Sequence, residues 1–194
     1  MKFLPIVLGL AMLAGVAVAA DEVNVSSVKF VNVRAPGGAT ANWLEGDIAL
    51  SVRPATGLMV SRVRVTLTIG CELPATAGGE RRVEYYRAEA ECVGLESGRS
   101  DVRFYLPPEL VKRDQLHADP KFWLIAVSAG GRPLTPGRGN ASPALATAEA
   151  RKNFESHAAA AAMANDGLLV PQYLTPFALE YPRATPSFVR HDSR

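Results

Sequence analysis

The stretch VSRVRVTLTIGCE, residues 60–72, alternates apolar and polar side chains along most of its length. The apolar side chains on one side of this extended segment are Val63, Val65, Leu67, Ile69 and Cys71. Arginine and threonine occupy most of the positions between them. This period of two predicts a β-strand with one buried and one solvated face, which is typical of antiparallel sheets.

A second stretch with the same alternation, residues 82–93, follows a short distance downstream. Its inward positions are Tyr86, Ala88, Ala90 and Cys92, whereas acidic residues occupy several of the outward ones. The pair Gly78-Gly79 between the two stretches supplies a turn signal. The two segments therefore predict a hairpin in which Cys92 lies opposite Val63.

Five further segments carry strand signals. They are residues 23–33, 43–53, 102–106, 122–127 and a short strand around Pro133. In the first of them Val28 and Phe30 are out of phase with Val31 and Val33, which predicts a β-bulge between the two pairs. One helical turn is expected at residues 109–114, because Pro108 suits the first position of a helix.

Seven short strands with few helices over residues 21–140 predict a mainly β domain. The expected fold is an immunoglobulin-like antiparallel β-sandwich, followed by one α-helix and an irregular tail. A β-barrel is the alternative. The spacing of cysteine, tryptophan and cysteine found in antibody domains is missing, so the similarity lies in strand number and patterning alone.

The first twenty residues have the features of a secretory signal peptide. Lys2 precedes an apolar run at residues 3–16, and small residues at positions 17 and 19 form a cleavage site. Cleavage would deliver the mature protein to the periplasm or the extracellular space. The alternative, a membrane anchor, needs an apolar run of about 18 residues or more. We therefore expect no membrane span in the mature form.

The composition is that of a globular protein of roughly one domain. Among 194 residues, 48% are hydrophobic and 21% are charged. The 21 basic residues nearly balance the 19 acidic ones, for a formal net charge of +2. Such a balance creates no long-range field that would attract a polyanion, so we expect no nucleic-acid partner.

The two cysteines permit an argument from register. An exported protein with an even number of cysteines often contains a disulfide. In the predicted hairpin, however, Cys71 lies close to the turn and Cys92 lies opposite Val63, roughly 26 Å away along the strands. A disulfide needs Cα atoms closer than about 7 Å. We therefore expect both cysteines to be unpaired core thiols. If they are bonded, the two strands belong to opposite sheets instead.

The C-terminal third contains a helix and an apolar tail. Ser142-Pro143 is a favourable helix start and Gly167 a stop, so one α-helix is predicted over residues 141–166. Residues 167–194 form a tail rich in proline and in large apolar side chains. The prolines exclude a regular helix or a central strand, and the apolar content argues against disorder. The tail therefore lies either on its own sandwich or on a partner.

No arrangement of residues indicates a catalytic site. The histidines His117, His157 and His191 lie in three different segments without the spacing of metal ligands. The sequence also lacks a nucleophile elbow and a glycine loop for phosphate. We expect a protein that is not an enzyme, with no catalytic residues, no bound metal and no cofactor. A hydrolase whose catalytic residues assemble from distant positions is the least favoured alternative.

Large aromatic side chains are the candidate interaction residues. They are Trp43, Tyr85, Tyr105, Phe154, Tyr173, Phe177, Tyr181 and Phe188. Aromatic residues are enriched where proteins contact one another. The signal peptide, the sandwich pattern and the apolar tail make an exported binding or assembly module with a protein partner the leading hypothesis. A glycan-binding module that uses Trp43, Tyr85 and Tyr105 is the alternative.

Several runs of residues resemble those of small exported immunoglobulin-like proteins of Verrucomicrobia-type bacteria. The runs are NWLE (42–45), YYRAEAE (85–91), FYLPPE (104–109), NDG (165–167) and PQYLTPF (171–177). Some of these proteins are encoded beside type IV pilus components. The resemblance implies a role in pilus assembly or envelope adhesion and offers no catalytic residues. A type IV prepilin keeps its apolar helix after cleavage, whereas this chain would lose it. The implied role is thus that of a pilus accessory.

Overall fold

Strands dominate the regular structure of the chain. A computed structural model describes residues 22–38, 40–75, 79, 82–182 and 185–190, so the predicted signal peptide lies outside the described residues. In chain order the elements are β1 (Glu22–Arg34), β2 (Asn42–Arg53), β3 (Met59–Glu72), β4 (Val83–Glu96), β5 (Gly98–Leu106), α1 (Pro108–Arg113), β6 (Phe122–Ala129), β7 (Arg132–Pro133), α2 (Ala148–Ala161) and β8 (Val170–Pro171).

These strands form two antiparallel sheets that pack face to face. The first sheet has the order β1-β2-β5-β8 and the second the order β4-β3-β6-β7. The inner faces of both sheets contribute to one hydrophobic core. The arrangement confirms the predicted mainly β sandwich, and α1 occupies the position of the predicted helical turn.

The central hairpin pairs β3 with β4 in the predicted register. Val63 lies opposite Cys92, and Val65 lies opposite Ala90. These inward side chains are almost fully buried, because alternate positions of each strand face the opposite sheet. Strand β6 pairs with the other side of β3, and Ile125 there lies opposite Leu67.

The β-bulge of β1 lies elsewhere than predicted. The register between β1 and β2 shifts between Val25 and Ser27, and it is continuous from Ser27 to Arg34. Val28 and Phe30 therefore face the core, whereas Val31 lies on the outer face with 41% of its surface exposed. The apolar pattern changes between Phe30 and Val31 because Val31 faces solvent. No extra residue is inserted there, so the bulge predicted at this point is wrong.

The predicted helix over residues 141–166 is divided into three parts. A 3-10 turn at Pro143–Leu145 precedes α2, and a second one at Ala162–Asn165 follows it. The Ser142 hydroxyl, expected to cap the helix, accepts a hydrogen bond from the Trp123 N–H of β6 at 3.4 Å. Thr147 caps α2 instead, because its Oγ1 accepts a hydrogen bond from the Ala150 N–H at 3.1 Å.

The C-terminal tail lies on its own sandwich. Strand β8 pairs with β5 at the edge of the first sheet, and Phe188 forms a bridge with Cys92 at the edge of the second. The tail thus crosses from one sheet to the other over the same side of the molecule. Across the described ranges, no helix has both the length and the apolar character that a membrane span requires.

Candidate interaction surface

The candidate aromatic residues gather where the C-terminal third packs on the sandwich. On the outer face of the first sheet, Phe177 stacks on Tyr105 with ring centroids 4.5 Å apart and an angle of 6° between the rings. Trp43 meets the edge of this pair, 5.8 Å from Phe177. Because Tyr105 and Phe177 are almost fully buried, they join the tail to the sheet and do not reach an outside ligand.

A second aromatic cluster holds α2 on the outer face of the second sheet. Phe154 is buried between Tyr85, at 5.5 Å, and Phe122, at 6.3 Å. Gly70 of β3 lies beneath the Phe154 ring and leaves room for it. Phe154 is therefore the anchor of the helix.

The remaining candidates divide between packing and exposure. The ring centroids of Tyr173 and Phe188 lie 5.1 Å apart, where the tail crosses from the edge of the first sheet to the edge of the second. Tyr181 alone among the eight candidates is an exposed residue, and its ring lies 4.3 Å from the guanidinium carbon of Arg103. The prediction of an exposed patch of Trp43, Tyr85 and Tyr105 is wrong, because Tyr105 has no accessible surface.

Charged residues lie between the first sheet and the tail. Arg103 of β5 donates a hydrogen bond to Asp101 Oδ2 at 3.1 Å and lies 3.5 Å from Asp47 Oδ1. The Tyr105 hydroxyl donates to Glu45 Oε2 at 2.7 Å. Burial raises the pKa of both Glu45 and Asp47 above the ordinary values, although Tyr105 and Arg103 oppose this effect. Arg99 also pairs with Asp101, at 2.9 Å, and the tail covers part of the cluster through contacts of Tyr181 and Thr185 with Arg103.

Residues 172–181, called here the presented loop, are organised around one buried amide. Gln172 is fully buried, and its Nε2 donates hydrogen bonds to the carbonyl oxygens of Phe177, at 3.0 Å, and Glu180, at 2.9 Å. Thr175 adds a hydrogen bond from its Oγ1 to the Gln172 carbonyl at 2.7 Å. Together with a 3-10 turn at Gln172–Leu174, these contacts give the loop a fixed shape.

The presented loop exposes large apolar side chains to solvent. Leu179 is 91% exposed and Leu174 is 65% exposed, and Tyr181 is also exposed. Phe177, between them, points the other way into the aromatic cluster on the first sheet. Sequence reasoning placed both leucines in an apolar tail without identifying them as candidates. The alternation between buried and exposed positions depends on Gln172, whose role has no local sequence signal.

The outer face of the second sheet carries an ionic cluster formed by side chains of β3 and β4. Glu91 is buried and accepts hydrogen bonds from Arg62 Nε at 2.8 Å and Arg64 Nη2 at 3.0 Å. Arg64 also pairs with Glu89 at 3.1 Å. The depression beside these side chains has a volume of about 300 Å³. Since carboxylates neutralise both arginines, the cluster joins β3 to β4 across the hairpin.

The cysteine thiols are free and buried in the core. Cys71 lies opposite Glu84, whereas Cys92 lies opposite Val63 far along the same ladder. Burial raises the pKa of each thiol to about 12. Neither thiol is therefore suited to act as a nucleophile at neutral pH.

The histidines do not form a metal site within the described ranges. His157 Nδ1 lies 2.8 Å from the carbonyl oxygen of Asn153 in its own helix. His117 lies in the segment that follows α1, and His191 is outside the described residues. Across residues 22–190, apart from the gaps named above, no three histidine, cysteine, aspartate or glutamate side chains form a group suited to a metal ion.

Comparison with known proteins identifies a shared fold. No protein-family model matches the chain, and a search of curated proteins also finds no match. The chain is similar to a crystal structure from Akkermansia muciniphila, a member of the Verrucomicrobia, with a TM-score of 0.65 and 16% sequence identity. The match covers 88% of this chain and 95% of that one. At this identity the likeness shows the sandwich fold, in a protein from the bacterial group that the sequence runs resemble.

Proposed function

We propose that the chain is an exported, non-catalytic binding module that assembles with a protein of the cell envelope. The observation that carries this proposal is the presented loop, which holds Leu174 and Leu179 in solvent on a fixed backbone. Burying a leucine side chain contributes roughly 1.5–3 kcal/mol. Because Gln172 already orders the loop, a partner that covers both leucines gains this energy at a reduced entropic cost.

The finer hypothesis is an accessory role in a type IV pilus. It rests on the resemblance of the sequence to small exported proteins, some of which are encoded beside pilus components. A structural likeness to a protein from the Verrucomicrobia agrees with that origin. An envelope protein then supplies an apolar surface for the presented loop, and export through the signal peptide brings the two together.

A glycan-binding role has less support. Its candidate patch of Trp43, Tyr85 and Tyr105 is divided between the outer faces of two different sheets. Trp43 and Tyr85 are only partly buried, but each contacts an aromatic residue of the C-terminal third. A sugar ring would have to stack on faces that these contacts already occupy in part.

The test is recovery of a partner from the native host after mild crosslinking. Wild-type protein is compared with a Leu174→Asp, Leu179→Asp double variant. Met163→Asp is the control, because Met163 is an apolar side chain that is 79% exposed in the 3-10 turn after α2, over the outer face of the second sheet. We expect one envelope protein to be captured by the wild type and by the control and lost from the double variant. Repeated recovery of a lone monomer, or equal capture by all three, would contradict the proposal.

A further inference from the structure

The chain covers most edges of its own sheets. At the β4 edge, the Val93 N–H donates to the Ser187 carbonyl at 2.8 Å, and the Val189 N–H donates to the Glu91 carbonyl at 2.7 Å. At the β5 edge, β8 supplies the next strand. Both edges are therefore paired by the C-terminal tail, which removes the template that an open edge offers to another chain.

The β6 edge and the first half of β1 are covered as well. Strand β7 pairs with the end of β6, and the Ser142 N–H donates to the Trp123 carbonyl at 3.0 Å. The 3-10 turn at Arg138–Asn140 approaches β1 so closely that a Cβ at Gly139 would lie 2.4 Å from the Val25 carbonyl oxygen. The bulge after Val25 marks the end of this covered part.

Residues 27–34 of β1 are the exception. Their register with β2 is continuous, and across the described ranges they show no backbone hydrogen bond to any other segment. In an antiparallel edge strand, alternate residues direct their N–H and C=O groups away from the neighbouring strand. The segment contains neither proline nor glycine. It is thus a regular edge of eight residues that is available for pairing.

The charges at this edge distinguish between possible partners. Lys29 and Arg34 are exposed, and residues 27–34 contain no acidic side chain. In a second copy paired antiparallel through this edge, residues 27–34 would offer Lys29 and Arg34 no acidic partner, so their charges do not favour such pairing. Lys29 lies opposite Asp47 of β2, and an acidic strand on the open side of β1 would place a further carboxylate beside it. The exposed Val31 on the same face adds an apolar contact.

We propose that residues 27–34 accept an extended acidic strand from a partner protein, which extends the first sheet beyond β1. Backbone hydrogen bonds supply the affinity, whereas a carboxylate near Lys29 and an apolar side chain near Val31 supply the selectivity. The inference rests on the proposed binding function and specifies a second contact, separate from the presented loop.

The test uses a defined probe. A capped octapeptide of alternating valine and threonine, with one central glutamate, is titrated into the isotopically labelled protein. We expect amide chemical-shift changes centred on residues 27–34 and slower hydrogen exchange at alternate amides there. A second peptide carries lysine in place of glutamate and should bind more weakly.

A charge exchange gives the matched control. Lys29→Glu should weaken binding of the glutamate peptide by about threefold or more and should strengthen binding of the lysine peptide. Opposite charges on neighbouring strands are favourable, whereas like charges are unfavourable. Lys152→Glu, an exposed site in α2, should change neither affinity. Shifts elsewhere, no shifts at millimolar peptide, or indifference to Lys29→Glu would overturn the inference.

Two further outcomes are distinguished. A dimer in light scattering that Val31→Asp dissociates would assign the edge to a second copy and overturn the acidic-partner proposal. The Leu174→Asp, Leu179→Asp variant should retain peptide binding at β1. If the envelope partner is captured through the presented loop yet Lys29→Glu never alters that capture or peptide binding, the edge inference fails while the proposed function stands.

Discussion

Glu45 is a carboxylate that the fold holds in an unfavourable ionised state. Burial raises its pKa above the ordinary value of 4.5, so at neutral pH the folded protein carries a charge that the unfolded chain accommodates more easily. This contribution destabilises the fold as pH rises above the ordinary pKa. Below that pKa both states are protonated and the contribution vanishes.

Glu45→Gln should therefore raise the melting temperature at pH 7. The amide oxygen can still accept the hydrogen bond from the Tyr105 hydroxyl, so the gain comes from removal of the buried charge. The gain should disappear at about pH 4 and below, where the wild-type carboxyl is protonated in both states. Thermal unfolding followed by circular dichroism between pH 3 and pH 8 measures both curves.

Glu91→Gln gives the opposite sign and serves as the comparison. The hydrogen bonds from Arg62 and Arg64 hold the pKa of Glu91 below its ordinary value, so its charge stabilises the fold above pH 4.5. That stability is lost as pH falls through the lowered pKa. The variant should melt lower than the wild type at pH 7, and the difference should shrink in acid. If Glu45→Gln and Glu91→Gln changed the melting temperature in the same direction at pH 7, the opposite effects of burial and ion pairing assigned to these carboxylates would be wrong.

The thiols of Cys71 and Cys92 should be inert in the native protein. With a pKa of about 12, each thiol is ionised in only about one molecule in ten thousand at pH 8, and burial also blocks access. We expect iodoacetamide to modify neither cysteine until the protein is unfolded, as measured by mass spectrometry with and without denaturant. Rapid labelling of either thiol in the native state would place it outside the core.

At the scale of elements, α2 depends on the absence of a side chain at Gly70. A Cβ there would lie 2.9 Å from Phe154 Cε2 and 3.2 Å from Phe122 Cβ. Gly70→Ala should destabilise the protein by about 1–3 kcal/mol, because the aromatic cluster must shift. Denaturant unfolding measures the loss, and Phe154→Leu in the same background should restore part of it.

Gly94→Ala is the matched control for this prediction. Its Cβ would also lie 2.9 Å from another atom, but that atom is the sulfur of Met59, an exposed and flexible side chain. We expect a change within about 0.5 kcal/mol. If both alanines cost the same, the tight fit beneath Phe154 is not what positions the helix.

Strands were easier to predict from the sequence than the segments that join them. The alternation in β3 and β4 shows which side chains face the core, and together with the turn signal at Gly78-Gly79 it defined their register. The change in the alternation at Val31 has two possible causes. A valine that faces solvent and an inserted residue produce the same apolar pattern in the sequence of a single strand. The helix boundary failed for another reason: Ser142 bonds to β6, and no local pattern reveals a tertiary partner.

At the scale of the whole molecule, the C-terminal tail determines which aromatic side chains are buried. Tyr105 alternates with inward residues of β5 and therefore reads as solvent-facing. It is buried because Phe177, about seventy residues later in the chain, stacks on it. A single sequence shows the alternation of apolar residues in β5 but not the contact between Tyr105 and Phe177. The exposed candidate surface is therefore formed by Leu174 and Leu179 and not by the predicted aromatic residues.

Deletion of all residues after Asn165 should therefore expose the sandwich. The truncated chain loses the burial of Leu169 and Phe177, worth roughly 1.5–3 kcal/mol each, and uncovers the edges of β4 and β5. We expect a lower melting temperature, binding of a hydrophobic dye and aggregation that depends on concentration.

Leu179→Ser, which alters only an exposed side chain, should melt like the wild type. A synthetic peptide of residues 166–190 added in trans should restore solubility, because its contacts are with the sandwich. A truncated protein that stays soluble with an unchanged melting temperature would instead mean that the tail contributes little to the fold and is free to bind a partner.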